Sequence, residues 1–165
     1  MKTTSTTPET VRSVLSQALS GRGAHVLVRD VVDGLDWELA GRRSDGAPHT
    51  VFQIVNHLVY WHDFAIAWID GSKPSTPDQA AGSWPGAEAP ASESEWLALV
   101  ERFGADLDAF EKRTRELDLL DDRGPKTVLE ILQLIASHNS YHSGQIAALR
   151  RALGAWPPPG GGATW

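Results

Sequence analysis

From Thr50 onward, apolar residues recur at every third or fourth position in three long stretches, and the segments between them have no such period. That is the pattern of amphipathic helices, each burying one face. Their starts are marked by Ser or Thr followed three residues later by Gln or Glu, a pairing that satisfies two free backbone donors reciprocally. Thr50 with Gln53, Ser92 with Glu95 and Thr127 with Glu130 all show it. The predicted helices run from about Val51 to Ile69, Glu93 to Leu117 and Val128 to Leu153. Their stripes are Ile54, Leu58, Trp61, Ala65 and Trp68; then Trp96, Leu99, Val100, Phe103, Leu107 and Phe110; then Val128, Ile131, Leu132, Ile135, Ile146 and Leu149. Gly71 with Pro74 ends the first of these, and Gly154 suits a left-handed cap after the last. An earlier helical region is predicted from about Pro8 to Asp33, capped by Thr7 and broken or kinked at Gly21 and Gly23. Its Val11, Val14, Leu15, Val28, Val31 and Val32 are expected to face a core.

No segment alternates apolar and polar residues for long, so the predicted fold is all-α, four helices around one core. The segment from Asp70 to Ala91, rich in Pro, Gly, Ser and Ala, is long enough to span a helix of ~30 Å. It therefore allows a crossover between the second and third helices running parallel, and it carries Trp84. It could cover one end of the bundle or serve as a solvated connector. A chain of 165 residues is the size of one domain. That domain is expected over 1–156, with 157–165 as a flexible Pro/Gly-rich tail.

Composition removes several functions. A net charge of -6 offers no basic field for nucleic acid. The absence of cysteine excludes a thiolate nucleophile and Cys-ligated metal, so any thiol chemistry needs a thiol from outside. Met1–Glu9 lacks the apolar stretch of a signal peptide and no apolar run is long enough to span a bilayer, so a cytoplasmic location without a membrane partner is expected.

The candidate chemistry lies in histidines on the apolar stripes. His57 sits three residues after Ile54 and four before Trp61, and should point inward. His138 and His142, about 40° apart around the axis, continue the stripe of Ile131 and Ile135. Two imidazoles one turn apart can meet on one metal ion, and His57 is the best third ligand. His62, about 140° around from His57, should not join them. The alternative is three core histidines bonded to tyrosine, asparagine or water. Gln145 and Gln53 share the ligand faces and could orient imidazoles, although Gln53 already has a capping role and both could be plain helix surface. Tyr60, Trp61 and Tyr141 could line a pocket or belong to the core. Asp63, the nearest acid in sequence, is turned away from the ligand face. Arg150 and Arg151 could anchor an acidic cosubstrate, though the helix dipole alone favours cations there.

His138-Asn-Ser-Tyr-His142-Ser-Gly-Gln-Ile146 followed by Leu149-Arg-Arg, with Asn56-His57-Leu58 and Trp61-His62-Asp63-Phe64, resembles the DinB-like superfamily of damage-inducible-type four-helix bundles. The resemblance extends to about Trp156. It implies a long link between helices two and three and a divalent metal on one histidine of helix two and a pair on helix four. Those positions are His57, His138 and His142, with no catalytic residue implied beyond them. Imidazole ligands suit zinc first and nickel second. The resemblance further implies a small-molecule substrate, allows a homodimer, and suggests an S-transferase using a low-molecular-weight thiol. Two alternatives are a hydrolase using metal-activated water and a stress-related binding protein without turnover.

Overall fold

The computed structural model describes residues 9–162, so the expected cap Thr7 and Pro8 lie outside the described residues. Five α-helices follow one another: α1 Glu9–Ser20, α2 Trp37–Ala40, α3 Val51–Ile69, α4 Glu93–Glu116 and α5 Val128–Ala152. Single 3-10 turns occur at Asp30–Val32 and Ala80–Ser83. Among the described residues there is no strand, and no helix is long and apolar enough to cross a membrane.

The three capping signals mark true starts. Thr50 and Thr127 form reciprocal capping boxes with Gln53 and Glu130, and the Ser92 hydroxyl accepts from the Glu95 N–H. The first region breaks at Gly21 as expected but does not continue as a helix to Asp33. Helix α1 stops at Ser20 because Gly21 takes φ 77°, and a Cβ there would sit 2.4 Å from the His25 ring. With Gly23 also left-handed, the chain does not resume an α-helix, and Asp30–Val32 makes only one turn. Val28, Val31 and Val32 are buried as expected, but Val14 is 60% exposed. The short α2 was not foreseen. Asp36 caps it by accepting from the N–H groups of Glu38 and Leu39, and four residues are too few to show a period.

Helix α1 packs on α4 and α5, and α3 packs on the same two, so α1 lies diagonally opposite α3 in the bundle. Direction follows from side-chain pairs. Asp63 of α3 and Asp70, its C-cap, meet Arg102 and Arg113 of α4 in the same order, so these helices are parallel. Arg12 and Ser16 of α1 reach Thr114 and Glu111 of α4 in reverse order, so those are antiparallel. The 71–92 segment therefore returns along the bundle as a crossover.

The core divides in two. One cluster gathers Val28, Val31, Phe52, Leu58, Trp96, Phe103 and Ile146, and the other Leu15, Leu19, Ile69, Phe110, Leu119, Val128 and Leu132. Between them lies a polar layer of His62, Asp106 and Asn139, one residue from each of α3, α4 and α5, all buried. After α5 the chain turns back so that Pro159 packs on Gly34 and Pro158 is buried.

Candidate metal centre

Helix α3 supplies His57 and α5 supplies His138 and His142, and the structure brings all three to one point. One ring nitrogen of each lies within 4.8 Å of those of the other two. The converging atoms are the Nε2 nitrogens, with His138 Nε2 3.2 Å from that of His57 and 3.1 Å from that of His142. His57 and His142 are buried and His138 is half-buried.

The opposite nitrogens determine what the cluster can bind. His57 Nδ1 faces the Ser83 carbonyl at 3.2 Å, and a carbonyl only accepts, so Nδ1 carries the hydrogen. His142 Nδ1 likewise donates to Gln145 Oε1 at 2.7 Å. In both neutral rings Nε2 is then a bare lone pair directed at His138. A single N–H on His138 cannot satisfy both. Its own Nδ1 is buried with no partner among the described residues. Converging lone pairs on three neutral imidazoles are the donor set of a cation site, and the residues present fit a divalent ion. Protonation competes weakly. Burial, with opposition from its two neighbouring rings, lowers the pKa of His138 to about 3. Burial lowers that of His57 to about 4 against the raising effect of the Ser83 bond. Burial lowers His142 as well, partly offset by Gln145.

The crossover forms one wall. Trp84 stacks on the His57 ring at 3.9 Å and 9°, and His49 stacks on the other face of the indole at 3.6 Å. Gln53 completes the α3 cap and donates to the Pro85 carbonyl, while Thr50 Oγ1 donates to the Glu88 carbonyl. Gln53 thus holds the crossover rather than a ring of the three-histidine cluster. Trp61 meets His57 edge-on and Tyr141 meets His142 edge-on. Tyr60 is at the surface against Trp61.

The other singled-out residues lie elsewhere. Asp63 pairs with Arg102 in solvent. Arg150 is buried and donates to the carbonyls of Val31, Asp33 and Ala155, a structural role. Arg151 lies over the Trp156 ring. His62 stays out of the cluster, as its phase requires, and faces Asn139 Oδ1 at 2.9 Å. The Ser83 carbonyl and the His49–Trp84 stack were not foreseen. A backbone carbonyl on a loop leaves no side-chain signature.

A family model described as the DinB superfamily matches residues 23–146, well over half of the chain. No curated protein and no solved structure matches it.

Proposed function

The chain belongs to the DinB superfamily, and on that premise we propose that it is a metal-dependent S-transferase using a low-molecular-weight thiol. The metal would be held by His57, His138 and His142. The observation that supports this most is the pinning of the Nδ1 hydrogens by Ser83 and Gln145, which leaves Nε2 lone pairs aimed at one point. A divalent ion bound there, zinc first and nickel second, would act as a Lewis acid and keep a thiol deprotonated near neutral pH.

The chain's own residues favour a thiol over water as the nucleophile. The group that could hold the ion contains three histidines and no carboxylate, and Asp63 is engaged by Arg102. A metal can bring bound water to a pKa of about 7 without a carboxylate, though general-base help speeds its attack. A thiol, with a pKa near 8.5, needs far less help. The sulfur would bond to an electrophilic carbon as the leaving group departs with its electron pair. Trp61 and Tyr141 would give an apolar electrophile aromatic surface to lie against.

Elemental analysis of tag-free protein beside the His138→Ala variant is the first test. The expected result is about one ion per chain in the parent and little in the variant, and equal content in both removes the site. Incubation of loaded protein with thiols and electrophiles then separates the activities. Turnover requiring the thiol supports the transferase. Thiol-independent hydrolysis, or no turnover across a broad panel, replaces it with the water-activating or the purely binding reading.

A further inference from the structure

Between residues 131 and 149, helix α5 carries no Asp, Glu, Lys or Arg, where average composition would place about five. The chain as a whole has a net charge of -6, so this is an uncharged stretch on an acidic molecule. Part of it faces outward. Steps of three and four alternate through Leu134, Ser137, Tyr141, Gly144 and Ala148, and all five are exposed, Leu134 by 52% and Tyr141 by 65%. That spacing is the seam one helix offers to another. One further step at either end reaches a charge, Glu130 before the seam and Arg151 after it, both exposed. Neither has a partner of opposite charge among the described residues. Glu130 Oε2 closes the Thr127 cap and leaves Oε1 over. Arg151 lies 4.2 Å over the Trp156 ring, and indole stacking leaves the N–H edge of a guanidinium open. On α1, Val14 adds apolar surface beside Gln133 and Ser137, itself 60% exposed.

We propose that this seam pairs with the same seam of a second copy of the chain, antiparallel about a two-fold axis beside Tyr141. Charge selects the occupant. Identical acidic chains repel one another, and here they can meet without burying a charge. In the antiparallel register Glu130 of each copy faces Arg151 of the other, so two ion pairs close the ends of a seam ~32 Å long. Size selects the same register. Leu134 of one copy falls opposite Ala148 of the other, and Ser137 opposite Gly144, where a Cβ would meet nothing within 4 Å. Tyr141 meets its own symmetry mate. A parallel pairing would instead set Glu130 on Glu130, Arg151 on Arg151 and Leu134 on Leu134, and would leave a gap at Gly144. A foreign partner of one strong charge would gain at one end of the seam and lose at the other. A contact centred on one helix pair is small beside an obligate interface, so the dimer is reversible.

Sedimentation equilibrium on the full chain tests this, with a dimer expected to dissociate at about 10–100 μM. Leu134→Glu places a charge in the seam at an exposed position and should weaken the dimer by about tenfold or more while far-UV circular dichroism stays unchanged. Arg151→Glu and Glu130→Lys should each weaken self-association several-fold, since each sets like charges together at both ends. Their equimolar mixture restores both ion pairs and should dimerise as the parent does. Loss of the Glu130 cap cannot imitate that recovery, because the mixture still carries it. The chain has no cysteine, so an introduced thiol reports on one position. Under mild oxidation Tyr141→Cys should form a disulfide-linked dimer far faster than Leu97→Cys, which is 57% exposed on α4. Four results would each overturn the proposal: a monomer at every concentration up to about 1 mM, a dimer that Leu134→Glu leaves intact, a mixture that associates no better than either charge variant alone, or Leu97→Cys bridging as readily as Tyr141→Cys.

Discussion

At the scale of single residues, the side chain that matters most beyond the three clustered histidines is Gln145. It accepts from His142 Nδ1 and so fixes which nitrogen faces the cluster. Partners of this kind are typically worth 10–100-fold in metal affinity, and Gln145→Ala should weaken binding by about that factor. Competition against a chromogenic chelator measures it, and unchanged affinity would refute the positioning role. The imidazoles also tie stability to pH. In the folded chain His57 stays neutral down to about pH 4 and His138 down to about 3, whereas unfolded histidines take up protons near 6.5. The unfolded state therefore binds more protons throughout that window, and stability rises with pH across it. Chelator-treated protein should lose stability as the pH falls from about 7 to 5, above the carboxylate range. Urea midpoints that do not move over that interval would show that the rings are not held neutral.

At the scale of elements, the two capping boxes look alike in sequence but carry different weight. Thr50 is fully buried, and its hydroxyl holds the Glu88 carbonyl of the crossover as well as its own helix. Thr127 is partly exposed and caps only α5. Thr50→Ala is expected to cost about 2 kcal/mol and Thr127→Ala about 1 kcal/mol, read by chemical denaturation. Equal costs would mean that the crossover gains nothing from the Thr50 hydroxyl. The same contrast shows what is legible in the chain. Helix starts, the phase of His57, His138 and His142, and the exclusion of His62 follow from local spacing, because a helix fixes side-chain directions. The break at Gly21 and Gly23 follows too, from glycine's poor helix propensity, but the failure to resume an α-helix before Asp33 does not. Nor does the burial of His62 beside Asn139, since His62 lies off the stripe that spacing identifies and its partners come from two other helices.

At the scale of the whole molecule, the buried Arg150 joins parts that secondary structure leaves separate. From α5 it bonds Val31, Asp33 and Ala155, tying the 3-10 turn and the segment after α5 to the bundle. Arg150→Met keeps the bulk but leaves three carbonyls without their donor, and should cost about 3 kcal/mol or more by denaturation. A cost below about 1 kcal/mol would mean that water replaces the guanidinium. The crossover has a comparable reach. Through the Ser83 carbonyl and the Trp84 indole it touches His57 on an edge and a face, so the order of this loop and the occupancy of the histidines share one free energy, each raising the other. Seen by a protease, the loop is a gauge. Chelated protein should be cut within 71–82 faster than protein given zinc, while His138→Ala should be cut at one rate whether or not zinc is added. A bound ion would then govern the lifetime of a surface loop it never touches.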